Sequence, residues 1–295
     1  MNLNYVLMIL CTILYSIHTC LLRLFKQTYV LSSDLIACYQ YLISIVILLP
    51  FMLFKGVSIS SAMHKFHITH FLMRCSMIFC ATLSWFYALS EVPAVNCIAI
   101  SCITPIFILI LAKISLHERL PNGILLLGLL AFIGAILIIS PTISGFNFTS
   151  IFAVLTAFLW ALNSVFTKKK LSPNFNSITI FFITAIVLSL MALPYVLIKS
   201  HEMNLNTILF LILITVVFDL ANILLIWVFS RGKLALIAPF DFLRVVFTTL
   251  FAHFILNESI SNHSVIGIGL ILIANTLSTF YSGIKVRMQT KIRTV

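Results

Sequence analysis

The stretch Asn122–Ser140, which reads NGILLLGLLAFIGAILIIS, contains no charged residue and decides the fold class. Its length matches the ~20 apolar residues that a helix needs to cross the ~30 Å hydrocarbon core of a bilayer. Similar runs fill the chain, of whose 295 residues 62% are apolar and 8% are charged. Because soluble proteins carry roughly 25% charged residues, this composition indicates that lipid is the solvent.

The apolar runs predict helices rather than strands. Backbone N–H and C=O groups must be paired within the protein in lipid, so only a helix bundle or a closed barrel can span a membrane. A barrel needs segments of ~10 residues that alternate polar and apolar side chains, whereas these runs are long and unbroken. We therefore predict an all-α integral membrane protein with about ten transmembrane helices. The spans are expected at 3–22, 31–54, 66–90, 93–115, 122–140, 147–167, 176–199, 204–229, 234–256 and 262–283.

The basic residues predict the orientation. If the N-terminus is cytoplasmic, the inside loops and tail hold Lys55, Lys65, Lys113, Arg119, Lys168, Lys169, Lys170, Arg231, Lys233, Lys285, Arg287, Lys291 and Arg293. The outside loops then hold only Arg23, Lys26 and Lys199. This asymmetry obeys the positive-inside rule, and an even number of spans places the C-terminus in the cytoplasm as well.

The net charge of +11 has the same explanation. Nearly all the basic residues flank apolar spans, so membrane lipids are expected partners and nucleic acid is not. The run Lys168–Lys170 is expected to anchor the topology, with binding to anionic lipid or to a partner as the alternative. The sequence leaves the oligomeric state open, a homodimer included.

An internal repeat relates the two halves of the chain. A shift that places Glu118 on Glu258 also places Ser90 on Ser230 and Phe107 on Phe247. Five spans per half is an odd number, so the halves must lie upside-down relative to each other. This is the inverted-repeat architecture of secondary transporters, whose substrate site lies near the midplane. The expected repeats are 1–140 and 147–295, with 141–147 as the linker.

Four charged residues fall inside predicted spans, where each is costly and must face the bundle interior or a polar path. They are Arg74, Asp219, Asp241 and Arg244. Asp241 and Arg244 share a helix face, and Pro239 removes a backbone donor beside them. A polar site there competes with a self-neutralising pair that only holds helices together. For Arg74, snorkelling to the interface is the alternative; Asp219 is too deep for that.

For several polar and aromatic residues, a structural role is expected before a role in ligand binding. Trp85, Tyr87, Trp160 and Trp227 fit an interfacial aromatic belt, although a ring that faces a cavity can stack on a base or an onium group. Hydrogen bonds between helices are expected of Asn96, Asn163 and Asn222. Kinks are expected at Pro105 and Pro194. Glu118 and Glu258 are expected to cap or order the ends that they follow.

The sequence contains no motif for catalysis or nucleotide use. It has no phosphate-binding GxxxxGK[ST] loop and no HExxH or GxSxG motif, so we do not expect an enzyme. The seven cysteines form no CxxC pair, and the eight histidines show no metal-ligand spacing. We therefore expect no metal and no cofactor.

Two stretches carry a resemblance to a known family. Thr104-Pro105-Ile106-Phe107, followed by Leu116-His117-Glu118-Arg119, resembles the mid-span proline and the leucine–glycine–glutamate close of the drug/metabolite transporter superfamily, EamA type. A second copy is formed by Ala238-Pro239-Phe240-Asp241-Phe242-Leu243-Arg244 with Leu256-Asn257-Glu258. His117 and Asn257 stand where that family usually has glycine, and Phe242 stands where an aromatic hydroxyl is common.

Within that family the chain most resembles the S-adenosylmethionine uptake carriers of obligate intracellular bacteria. The resemblance implies a carrier in the bacterial inner membrane that works by alternating access. Its substrate would carry a carboxylate for Arg244 and cationic groups for Asp241 and Asp219, with Arg74, Phe242 and Trp85 completing the site. An exporter of amino acids, drugs or other metabolites is the alternative within transport, and a membrane-embedded enzyme or sensor is the alternative outside it.

Overall fold

A computed structural model describes residues 3–29, 31–54, 65–92, 94–118, 120, 123–140, 148–199, 204–257 and 260–293. The first five spans consist of six helices. They are α1 (Leu3–Thr28), α2 (Ser33–Phe54), α3 (Lys65–Glu91), α4 (Ala94–Ser101), α5 (Thr104–Ser115) and α6 (Ile124–Ile139). Helices α4 and α5 together form the fourth span.

The second five spans begin with a 3₁₀ turn at Phe148–Ser150. Helices α7 (Ile151–Phe166), α8 (Ser177–Lys199) and α9 (Leu205–Arg231) follow, with a π turn (Thr167–Leu171) directly after α7. The ninth span consists of α10 (Leu234–Ile237), a 3₁₀ segment (Ala238–Phe242) and α11 (Leu243–Leu256), and the tenth span is α12 (Asn262–Arg293).

The prediction of ten spans is confirmed. Within the described ranges, eight helical stretches are long and apolar enough to cross a membrane, and Ile124–Ile139 and Asn262–Ser278 are two shorter apolar helices. Large apolar side chains such as Val46, Leu126 and Leu197 are exposed on the outside of the bundle. In a membrane these side chains face lipid, which is why the composition is so apolar.

The fourth span departs from its prediction as one helix with a kink at Pro105. The helix ends at Ser101 and restarts at Thr104, and Pro105 occupies the first turn of the second piece. Proline is well tolerated there because the first-turn N–H groups have no partner within the helix. The proline therefore begins a helix after a break instead of bending an unbroken one. The ninth span is interrupted at the corresponding place, over Ala238–Phe242.

Helix packing follows a pseudo-two-fold relation between the halves. Helices α7, α9 and α11 are the counterparts of α1, α3 and α5. Helix α3 packs on α7, and correspondingly α9 packs on α1. In the same way, α5 packs on α7 and α11 packs on α1. The second span packs on the seventh (α2 on α8) and the fifth on the tenth (α6 on α12), so each of these pairs joins a helix to its own counterpart. With five spans in each repeat, the two repeats are inverted.

Two left-handed residues mark equivalent places in the repeats. His117 follows α5 with φ 52°, and Asn257 follows α11 with φ 55°. A non-glycine residue seldom adopts such φ values, whereas glycine does so readily. This geometry explains why glycine is usual at these positions in the family that the sequence resembles.

The α6–α12 contact brings the backbones of the two repeats close together. A Cβ atom on Gly134 would lie 2.7 Å from the carbonyl oxygen of Gly267, and one on Gly267 would collide with the carbonyl oxygen of Gly134. Small residues of this kind let transmembrane helices pack backbone against backbone. By contrast, nothing lies within 4 Å of the place where a Cβ on Gly269 would stand.

Candidate functional site

The break in the ninth span presents Asp241 and Arg244 together. Pro239 lies in the first turn of the 3₁₀ segment, and Asp241 and Arg244 follow it on one face. The Arg244 Nη2 atom is 3.9 Å from Asp241 Oδ2, and the two side chains are 43% and 19% exposed. The pair is therefore loose and borders open space, so the guanidinium can also bind a second group.

Helix α1 supplies two further contacts of Arg244. The guanidinium carbon lies 5.6 Å from the centre of the Tyr15 ring, within cation–π range. The Ser16 hydroxyl donates to the backbone carbonyl oxygen of Arg244 at 3.0 Å. Contacts from the first span thus hold the start of α11 in place across the boundary between the two repeats.

A second polar group surrounds Asp219 on α9. The carboxylate is 3% exposed, and its Oδ1 atom accepts a hydrogen bond of 2.6 Å from the Ser44 hydroxyl on α2. Its Oδ2 atom is buried and accepts no hydrogen bond from the residues that the structure describes. Since an unsatisfied buried acceptor is costly, this oxygen is suited to bind a proton or a cationic ligand group.

His18 and Gln40 extend the polar group of Asp219. Their side-chain nitrogens are 2.9 Å apart, and the His18 ring packs on Phe218 at a centroid distance of 5.2 Å. Gln40 and Ser44 are one turn apart on α2, as Tyr15 and His18 are on α1. Helix α1 therefore connects the polar group of Asp219 with the Asp241–Arg244 pair.

Both groups lie at mid-depth in the bundle. At 1.5 Å per residue, Arg244 is about 15 Å along the ninth span from Leu234, and Asp219 is about 18 Å from the end of α9 at Arg231. The hydrocarbon core is ~30 Å thick. The charged side chains thus lie where carriers with inverted repeats hold their substrates.

Arg74 points into the bundle instead of snorkelling. It is 5% exposed, and its guanidinium donates to Thr184 Oγ1 and Asn163 Oδ1, each at 3.0 Å, and to the hydroxyl of Thr167. Asn163 therefore forms the hydrogen bond between helices that was expected of it. The Asn222 amide donates instead to the backbone carbonyl oxygen of Phe218 on its own helix.

Arg74 lines a cavity of about 400 Å³, its open mouth included. The other lining residues are Trp160, Asn163, Ser164, Thr167, Lys168, Ser172, Asn222, Leu225, Ile226, Phe229 and Ser230. They come from α3, α7, the π turn, the residue after that turn, and α9. None of the lining residues belongs to the Asp241–Arg244 pair or to the polar group of Asp219.

The two aromatic residues predicted for the site lie elsewhere. Phe242 is 2% exposed and packs in the main core, because the 3₁₀ segment turns it away from the face that carries Asp241 and Arg244. Trp85 packs beside Ala88, Cys97 and Ala153. The structure therefore brings neither ring to the charged groups, whereas it brings Tyr15 there.

Glu118 joins the repeats at one end of the bundle. It forms an ion pair of 2.7 Å with Lys168, and it accepts the backbone N–H groups of Leu234 and Ala235 at 3.2 and 2.9 Å. Lys168 also donates to the carbonyl oxygen of Gly232. Glu118 thus caps the start of α10, a helix of the other repeat. We call this ion pair with its backbone contacts the Glu118–Lys168 latch; Glu258 lies outside the described residues.

Potential metal ligands are scattered in the described part of the chain. No three His, Cys, Asp or Glu side chains come together there in a way that could hold a metal ion. The cysteines of α1 and α3 are dispersed along these helices, and several of them are buried.

Ten spans in two inverted repeats, with charged side chains at mid-depth, are typical of membrane carriers. The sequence pattern of the EamA-like transporter family matches residues 2–140 and 147–280. The chain belongs to this family, and it is a multi-pass membrane protein of the small-metabolite transporter type.

Individual relatives differ in the substrate that they are named for. The S-adenosylmethionine uptake transporter of Rickettsia bellii is 28% identical over 253 residues, which is 85% of each chain. The riboflavin transporter of Brucella anthropi is 34% identical over 136 residues, and this match spans 47% of that protein. A crystal structure of a protein with 16% sequence identity is similar in fold, with a TM-score of 0.78 over 94% of this chain and 97% of the other.

Proposed function

We propose that this protein is a secondary carrier of the bacterial cytoplasmic membrane that takes up S-adenosylmethionine by alternating access. The observation that carries the proposal is the set of charged groups between the repeats, at mid-depth. The loose Asp241–Arg244 pair and the unsatisfied oxygen of Asp219 offer both signs of charge to one ligand. The repeats 1–140 and 147–295 are the moving halves, and both termini are cytoplasmic in this proposal.

The chemistry of the substrate fits these groups. S-adenosylmethionine carries a carboxylate, an amine, a sulfonium and an adenine. A guanidinium binds a carboxylate through two parallel hydrogen bonds, and Arg244 is open enough to do so. Asp241 and the Oδ2 atom of Asp219 are available for the cationic groups or for a coupling proton. The Tyr15 ring beside Arg244 adds a surface for an onium group.

Riboflavin is the second candidate, because the Brucella anthropi relative is named for it. Riboflavin carries no formal charge, so a riboflavin site has no need for charged groups at mid-depth, where each is costly. The presence of Asp219, Asp241 and Arg244 there therefore favours a charged substrate.

Uptake by cells that make the protein tests the proposal. Cells receive labelled S-adenosylmethionine or labelled riboflavin, and empty-vector cells give the background. We expect uptake of S-adenosylmethionine above background and competition by unlabelled S-adenosylmethionine but not by riboflavin. Uptake of riboflavin alone, or of neither compound, would overturn the substrate assignment.

A further inference from the structure

The Arg74 guanidinium is buried and held in one orientation. Its Nε atom donates to Thr184 on α8, and its Nη1 atom donates to Asn163 on α7 and to Thr167 in the π turn. All three acceptors are neutral oxygens. Because the acceptors come from two helices and a turn, they fix the plane of the guanidinium. The side chain is already ordered, so binding a ligand costs little further conformational entropy.

The positive charge of Arg74 has no counter-charge in the described part of the chain. The two ion pairs found there are Glu118 with Lys168 and Asp241 with Arg244. Neutral hydrogen-bond acceptors solvate a guanidinium but do not neutralise it, and a buried charge without a partner is strongly unfavourable. The spans contain two acidic and two basic residues, but only Asp241 and Arg244 form an ion pair in the described part of the chain.

One guanidinium nitrogen of Arg74 is left without a protein partner in the described part of the chain. The Nη2 atom donates to none of the residues that the structure describes, and Arg74 lines the cavity. The second charged residue of the lining, Lys168, is neutralised by Glu118. The uncompensated charge of this cavity is therefore that of Arg74. The volume of about 400 Å³ includes the open mouth, and the enclosed part is much smaller, so the cavity suits one anionic group of a ligand rather than a whole metabolite.

We propose that this cavity is an anion subsite, in which Arg74 binds a carboxylate or phosphate group of a small metabolite. The amide groups of Asn163 and Asn222 and the ring of Trp160 lie around the same cavity. They supply hydrogen bonds and a stacking surface for the rest of the ligand. The subsite is separate from the Asp241–Arg244 pair, so a substrate that carries a carboxylate or phosphate group meets two guanidinium groups on its path. Only the choice of S-adenosylmethionine as the carboxylate ligand rests on the proposed function.

Fluorescence quenching of Trp160 tests the subsite without any assumed substrate. The chain has three tryptophans, so Trp85→Phe with Trp227→Phe leaves Trp160 as the only one. Iodide is the anionic probe, and neutral acrylamide reports access. We expect Arg74→Gln to reduce the iodide quenching constant several-fold while the acrylamide constant changes little. Arg231→Gln, which removes an exposed arginine outside the lining, is the matched control and should leave both constants unchanged.

Matched ligand pairs identify the anion. Binding to the purified protein is compared for S-adenosylmethionine against its decarboxylated form, and for riboflavin phosphate against riboflavin. A carboxylate subsite favours S-adenosylmethionine over its decarboxylated form by roughly 10-fold or more, and Arg74→Gln abolishes that preference. A phosphate subsite shows the same pattern for the flavin pair instead, which would support the subsite while sinking the proposed substrate.

Two results would overturn the subsite. The first is an iodide constant that Arg74→Gln leaves unchanged. The second is a preference for the anionic member of a ligand pair that persists in Arg74→Gln. Arg74→Lys is the second variant, because it keeps the charge if the loss of hydrogen bonds in Arg74→Gln prevents folding. It should retain iodide quenching near the wild-type value, and a several-fold loss of quenching in Arg74→Lys would also overturn the assignment.

Discussion

The Glu118–Lys168 latch should contribute measurably to stability, and Lys168→Met tests it. The ion pair is short, at 2.7 Å, and its side chains are 18% exposed for Lys168 and 10% for Glu118. The substitution keeps most of the apolar stem of the side chain and removes the charge. Glu118 then retains the backbone N–H groups of Leu234 and Ala235 as its partners.

The magnitude follows from how deeply the pair is buried. Exposed ion pairs contribute about 0–1 kcal/mol, and removing one partner of a fully buried pair costs about 3–5 kcal/mol. The latch lies between these cases, and two backbone donors still solvate the carboxylate. We therefore expect Lys168→Met to lower the free energy of unfolding by about 2 kcal/mol, between those two limits. At roughly 2–4 °C per kcal/mol for a large domain, the melting temperature should fall by about 4–8 °C.

The cysteines provide the assay. The thiols of Cys11, Cys20, Cys75 and Cys97 are buried and form no disulfide, so a thiol-reactive dye reports unfolding of the purified protein in detergent as the temperature rises. Lys169→Met is the matched control, because Lys169 is exposed in the same basic run; it should change the stability by less than about 0.5 kcal/mol.

A double-mutant cycle with Glu118→Gln isolates the pair. The two single substitutions should each destabilise the protein, and the double variant should be less destabilised than their sum by about 1–2 kcal/mol. The reasoning is refuted if Lys168→Met and Lys169→Met have the same melting temperature. It is also refuted if the changes in unfolding free energy of Lys168→Met and Glu118→Gln are additive in the double variant.

Three further substitutions test other parts of the structure. Gly267→Val should prevent the α6–α12 contact and greatly lower the yield of folded protein on size-exclusion chromatography, whereas Gly269→Val on the same helix should be tolerated; equal yields would contradict the backbone contact. Asp219→Asn should keep the hydrogen bond from Ser44 but reduce uptake at least tenfold, roughly the effect of losing a charged contact; uptake at the wild-type rate would exclude a role for the carboxylate charge. His117→Gly should raise the melting temperature, because glycine relieves a left-handed φ that costs a side-chain-bearing residue about 1 kcal/mol; a lower melting temperature would show that the His117 side chain stabilises the fold.

The span pattern and the repeat could be read from the sequence because both are local or periodic properties. Apolar length sets each span, and the shared offset of Glu118 and Glu258 reveals the duplication without any tertiary information. The same reasoning identified the four charged residues, because charge is rare inside spans. The sequence predicted an irregularity at Pro105 but not that a separate helix begins there. Where a helix ends and a new one begins depends on its packing against the other repeat.

The partners of the charged residues could not be read from the sequence. Ser44 and Gln40 are ordinary uncharged polar residues in an apolar span, and only the packing of α2 on α9 brings Ser44 to Asp219. The cap that Glu118 forms on α10 joins residues more than a hundred positions apart. Phe242 was expected to face the ligand because of its place in a motif. A 3₁₀ segment turns successive residues by a different angle from an α-helix, and this residue ends in the core.

Counterflow into liposomes that contain the purified protein tests the central claim most directly. Liposomes loaded with unlabelled S-adenosylmethionine are diluted into a trace of the labelled compound, and the label that accumulates inside is measured. The account predicts transient accumulation for the wild type and for Lys169→Met, and a loss of tenfold or more, roughly the effect of one charge-assisted contact, for Arg244→Gln and Asp241→Asn. Absence of accumulation in the wild type, or wild-type accumulation in both site variants, would contradict it.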